Sequence, residues 1–236
     1  MKKLITLCVF AVLPAVLVLP MGAGACLIQY SVTVIAGSDV AVFSGTGETS
    51  AHGYFECSLV NSEQVIGDAF IESLKLKINS DPEVGVEFGV RAGASETPFH
   101  LLSDVVAFSP IVNPTASALA SVTLTDRSPA GATITGLFPG GWMHQARYNS
   151  SAVFANLVNS FSIPGGTLTK EEEKGNEFSM ITINDTLTSI ESEFWFTLSA
   201  KDSSAGTSTF VVEEVPEPAT ICMLGLGALS FLRKKK

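Results

Sequence analysis

His52, His100 and His144 are the three histidines of this 236-residue chain, and none has a second His or a Cys at a metal-ligand spacing. A zinc centre needs such closely spaced ligands, so the pattern points to solvated or strand-surface rings. Serine and threonine are abundant, but no Gly-x-Ser-x-Gly elbow presents one of them as a nucleophile. No catalytic residue can be assigned, and the body is expected not to be an enzyme. Asp39, Asp81, Glu83 and Asp202 lie among turn-forming residues. Loop carboxylates of that kind can hold calcium without any motif, although the Asp-x-Asp-x-Asp-Gly spacing is absent. No other cofactor is expected. Trp142 follows Pro139-Gly140-Gly141, and a ring bordering a loop can stack on a sugar face, which makes it the candidate glycan contact. Trp195 sits within Phe194-Trp195-Phe196, where at least one ring is expected in the core.

The elements that would position these residues have an apolar period of 2. Ile28, Tyr30, Val32 and Val34 alternate with polar residues, as do Leu74, Leu76 and Ile78, and then Val84, Val86, Phe88 and Val90. One face on a core and one in water is the antiparallel sheet pattern. Further strands are expected over residues 51–59, 101–108, 119–125, 132–138, 153–163, 177–184, 189–199 and 207–212. Gly37-Ser38-Asp39, Gly45-Thr46-Gly47, Asn79-Ser80-Asp81-Pro82, Pro139-Gly140-Gly141 and Pro164-Gly165-Gly166 read as turns. Glu171-Glu172-Glu173-Lys174 reads as a solvated loop. Asn61 to Ile66 is the one helix candidate, with Asn61 as N-cap. The expected fold is a single antiparallel β-sandwich of jelly-roll type over residues 26–212, flanked by an N-terminal signal peptide and a short C-terminal transmembrane helix. That body holds 20 acidic and 8 basic residues, so it lacks the basic footprint of a nucleic-acid binder.

Lys2 and Lys3 precede an apolar run from Leu4 to Pro20, and Ala23-Gly24-Ala25 follows. These are the three regions of a secretory signal peptide spanning residues 1–25, cut before Cys26 and routed through the Sec export machinery. Cys8 would leave with that peptide and Cys222 lies in the apolar tail. Cys26 and Cys57 then remain in an oxidising space, where they can form a disulfide. Two alternatives stay open: Cys57 as a buried free thiol, and Cys26 as the lipidated residue of a loose lipobox formed by Gly22 to Cys26.

At the other end, residues 213–218 form an acidic, Pro-rich neck containing Val215-Pro216-Glu217-Pro218. Residues 219–232 carry no charge, and the basic cluster Arg233, Lys234, Lys235 and Lys236 follows. As a helix the uncharged run would span about 21 Å, short of the roughly 30 Å hydrocarbon core. That suits a transient inner-membrane anchor. The cations at both ends belong in the cytoplasm by the positive-inside rule, so everything between them is translocated. The order of motif, apolar helix and basic stop resembles the PEP-CTERM protein-sorting signal of Gram-negative bacteria. The resemblance covers residues 215–236 alone. It implies that an exosortase, a membrane-embedded transpeptidase-like enzyme, recognises and processes the chain near Pro216-Glu217-Pro218.

Two functional classes are compatible with this reading. In the first, the chain is an exported cell-surface or extracellular-matrix protein, held in the envelope or in exopolysaccharide, with a structural or adhesive body. In the second, the body is a secreted carbohydrate-binding, lectin-like module, or a glycoside-active enzyme using paired carboxylates.

Overall fold

The structure, a computed structural model, describes residues 27–50, 53–79 and 81–215, with the backbone alone described at Leu27 and Ile28. The signal peptide (1–25) with its cleavage residues Ala23 and Ala25, Cys26, His52, Pro216 to Pro218, the apolar tail (219–232) and Arg233 to Lys236 lie outside the described residues.

The described chain is all strand and loop. In order, the strands are β1 (Leu27–Ala36), β2 (Asp39–Glu48), β3 (Tyr54–Val60), β4 (Gln64–Ile66), β5 (Ala69–Asn79), β6 (Glu83–Arg91), β7 (Thr97–Ser103), β8 (Val106–Val112) and β9 (Thr115–Thr125). They continue with β10 (Ala132–Gly136), β11 (Trp142–Tyr148), β12 (Ala152–Asn159), β13 (Phe161–Ile163), β14 (Thr167–Lys174), β15 (Ile181–Thr182), β16 (Thr186–Leu198) and β17 (Ser203–Glu213). Two antiparallel sheets form from them. One has the order β12-β11-β16-β7-β1-β2, with β8, β10 and β13 attached; the other has β14-β9-β17-β6-β5-β3, with β4 and β15 attached.

The sheets pack face to face because the period-2 pattern gives each an apolar inner surface. In β9 every second residue is buried, from Ala116 to Leu124. Phe88 on β6 meets Phe194 and Phe196 on β16, with ring centroids 4.9 and 5.6 Å away. Phe154 on β12 stacks on Phe210 of β17 at 5.3 Å. Burial of each such side chain contributes about 1.5–3 kcal/mol. Gly206 lies beneath Phe88, where a Cβ would stand 2.6 Å from the ring.

Several expectations are corrected. Asn61 to Ile66 is not a helix: residues 64–66 are β4, a short strand paired with β5 that buries Ile66. Gly45-Thr46-Gly47 is not a turn but the last part of β2, paired with β1 without a break. The glycines are needed there because aromatic rings cross them: a Cβ on Gly45 would lie 2.5 Å from the Tyr30 hydroxyl, and one on Gly47 would overlap the Phe55 ring. Glu171 to Lys174 is not a loop but the end of β14, paired along its length with β9. The run 101–108 is split into β7 and β8 at Asp104 and Val105. The run 153–163 breaks at Ser160, whose hydroxyl donates to Gly141 O at 3.0 Å and accepts from Gly136 N at 2.9 Å. Of 177–184 only Ile181–Thr182 is strand.

Strand directions place both ends of the described chain together. β16 starts at Thr186, close to the end of β17, because Thr182 and Glu213 both pair with Thr115. β7 runs antiparallel to β16, and β1 antiparallel to β7. Leu27 and Glu213 therefore lie at the same end of the sandwich.

Candidate functional site

The neck leaves the body from its middle. β17 lies between β9 and β6 in its sheet, and it stays locked to its last residue: Val211 pairs with Glu83, Glu213 with Thr115, and Val212 N donates to Pro82 O at 2.8 Å. Val215, the first residue of the expected sorting motif, is already exposed. Around this exit Asn79, Asp81, Pro82, Glu83, Ile111, Glu213 and Glu214 line an open cleft of about 490 Å³. Asp81 N donates to Asn79 Oδ1 at 3.3 Å, which shapes the turn below it. The result is a short peptide stem rising from a mixed acidic and apolar rim.

The second arrangement lies on the outer face of the sheet containing β16. Residues directly opposite in an antiparallel pair share a face. Gln145, Glu193, Leu102 and Thr33 therefore line up across β11, β16, β7 and β1, beside a second row of Trp195, His100 and Ile35. His100 Nε2 lies 2.5 Å from Glu193 Oε1, and Arg147 Nη1 donates to Glu193 Oε2 at 2.6 Å. Burial pushes the Glu193 carboxyl up, but these hydrogen bonds from His100 and Arg147 outweigh it and hold the group below the usual carboxylate range. Glu191, 3.2 Å from Arg147 Nε, is pushed up by burial, which Arg147 only partly offsets. Gln145 Nε2 donates to the exposed Asn156 Oδ1 at 2.9 Å. With both oxygens of Glu193 occupied, the carboxylate acts as a brace that fixes the His100 ring and the Arg147 guanidinium.

Trp195 stands at the edge of this polar strip and is 39% exposed, while Phe194 and Phe196 on either side of it are fully buried. Its ring lies 5.4 Å from that of His100 and 5.6 Å from that of Phe138. Trp142 is half-buried beside Gly140 instead. The exposed tryptophan is thus the one flanked by core phenylalanines. Period 2 carries that signal, since Glu191, Glu193 and Trp195 must share the face opposite Phe194 and Phe196.

The remaining candidates are not brought together. His100 is on the outer face and His144 in the core. His144 Nε2 meets Ser192 Oγ at 3.0 Å, and that hydroxyl meets Ser208 Oγ at 2.7 Å, bridging the two sheets. His144 Nδ1 has no partner, and burial lowers the ring's pKa to about 3. A serine–histidine pair without an orienting third group and closed to solvent lacks the arrangement that activates a nucleophile. Asp39 and Asp202 lie at the end opposite the neck, whereas Asp81 and Glu83 lie beside it. Asp202 is buried and accepts from Arg127 N at 2.9 Å and from Ser199 Oγ at 2.5 Å. Among the described residues no group of three or more His, Cys, Asp or Glu is placed to hold a metal. Among the described residues Cys57 forms no disulfide, its expected partner Cys26 lying outside them, and its Sγ lies 3.4 Å from the Tyr30 hydroxyl. Its strand β3 pairs with β5, and β1 pairs with β2 and β7, so the first strand does not fold back onto Cys57 in one sheet.

A family model described as the PEP-CTERM protein-sorting motif matches residues 214–236. No curated protein matches the chain. A PEP-CTERM motif implies export, targeting to the cell envelope or surface, and an exosortase as the processing partner.

Proposed function

We propose that this chain is a Sec-exported protein whose tail serves as a temporary inner-membrane anchor and whose body, once an exosortase has processed the neck, is a non-enzymatic structural or adhesive component of the cell surface or extracellular matrix. The observation that carries the reading is the position of the sorting-motif match: it begins at residue 214, one residue after β17 ends at Glu213. The folded body and the sorting signal thus abut without overlapping, so the neck can be read and cut with no strand unravelled. The short apolar run and its basic stop support a transient anchor. Intact-mass measurement of the mature protein tests the reading. A mass lacking both residues 1–25 and the residues beyond the neck is expected, and a mature chain retaining the tail through Lys236 would overturn it.

A second reading has one observation in its favour. The exposed Trp195 ring, set beside His100 on the face that also carries Gln145 and Asn156, is the combination of an aromatic platform with polar groups that sugar faces and hydroxyls fit. In this reading the body is a carbohydrate-binding module that holds exopolysaccharide. A glycan array with the wild-type protein and Trp195→Ala separates the two: binding lost in the variant supports it, and no binding by either protein removes it.

A further inference from the structure

We infer that the neck-bearing end of the sandwich is itself a docking surface for the exported face of the sorting enzyme, so that the enzyme reads body and motif together; this rests on the exosortase reading above. The neck is short. Val212 is buried and hydrogen-bonded to Pro82, and three residues, Glu213 to Val215, separate it from Pro216. Fully extended, that stretch covers at most about 14 Å. An enzyme closed around Pro216-Glu217-Pro218 cannot avoid touching the end of the body.

That end offers a surface a protein can fit. The cleft of Asn79, Asp81, Glu83 and Glu214 opens directly at the root of the neck. Exposed apolar side chains stand at the same end: Val112, next to the cleft's Ile111, is 67% exposed, Val215 46%, and Phe178, in the loop before β15 on the far side of β9, 90%. Ile181 on β15 lies two strands from Val212, on the far side of Ala116, which is about 10 Å at the usual strand spacing. Acidic groups beside exposed apolar side chains suit a basic, partly apolar protein face. They do not suit an anionic bilayer, which repels the carboxylates. The side seam of the body is finished differently: Glu172 Oε2 accepts from Val158 N at 3.0 Å, and the Lys174 ammonium donates to Phe154 O, so the edges of β12 and β14 are closed by charged side chains. Leu27 starts β1 at the neck-bearing end too, so before signal cleavage both chain ends would hold this surface toward the membrane that houses the enzyme.

The test follows processing of the full-length precursor in an exosortase-bearing host by pulse-chase. Val112→Ser with Phe178→Ser, and separately Asp81→Asn with Glu214→Gln, are expected to slow processing at least 5-fold. A ten-residue Gly/Ser insertion between Val215 and Pro216 should bring wild-type and variant precursors to one common, slower rate, because the body is then released from the enzyme. Both variants change exposed side chains, and an unchanged melting temperature of each precursor confirms folding. Wild-type rates for both variants with the native neck would overturn the docking surface. A precursor in which Pro216, Glu217 and Pro218 are Ala separates the two claims: if it is still processed, the exosortase reading itself fails.

Discussion

The backbone N–H of Val212 donates to the carbonyl oxygen of Pro82 at 2.8 Å, which carries the grip of the sheet to within four residues of Pro216. β17 ends at Glu213, and the sorting-motif match begins at residue 214. The last strand of the body and the sorting-motif match are therefore adjacent without overlapping.

Gly206 provides a direct check of the packing between the sheets. Its missing Cβ leaves room for Phe88, and the Ser121 carbonyl oxygen also stands only 3.0 Å from where that atom would be. Gly206→Ala is expected to destabilise the protein by about 1–3 kcal/mol through overpacking. Urea unfolding with an unchanged m-value measures it.

Glu172 closes the seam between β12 and β14 by accepting from Val158 N, a donor on a fully buried residue. Glu172→Ala should cost about 1–3 kcal/mol, the usual cost of leaving a buried donor without its acceptor. Hydrogen exchange at the Val158 amide should accelerate in the variant while amides of β6 remain protected.

Acid should weaken the fold through His144. Burial lowers its pKa to about 3, so between the ordinary histidine value near 6.5 and that point the unfolded chain binds a proton the folded chain refuses. Stability is thus fully present above about pH 6.5 and falls by about 1.4 kcal/mol per pH unit below it. Glu193, held low, loses its contribution only as pH falls through the carboxylate range, and Glu191, held high, acts in the opposite sense as pH rises. Melting temperatures from pH 7 to 5 should drop for the wild type, and His144→Leu should flatten the slope.

These features differ in how far the sequence announces them. The alternation in β1, β5 and β6 is unambiguous, since each buries Val, Leu, Ile or Phe on one face. β2 is hidden because its glycines mimic a turn, and their reason, the rings of Tyr30 and Phe55, comes from other strands. β14 is hidden because three consecutive glutamates read as solvated, and only the pairing with β9 and the backbone of β12 explains them. Trp142 borders a loop, yet exposure falls to Trp195, because a strand between two buried phenylalanines must turn its third ring outward. The Glu193 brace joins β7, β11 and β16, a juxtaposition no local spacing encodes.

If the Trp195 strip holds polysaccharide, Trp195→Ala should reduce retention on the host's exopolysaccharide by at least tenfold and leave the melting temperature nearly unchanged, since the ring is partly solvated. Co-sedimentation with the purified polymer measures it. Equal retention of both proteins would assign that face to solvent alone.

The central claim is that the neck is the point at which this protein is handed over. Replacing Pro216, Glu217 and Pro218 by Ala in the full-length precursor and following its size and location in an exosortase-bearing host tests it most directly. A full-length species held in the inner membrane is expected. Release of a shortened product at the wild-type rate would contradict it.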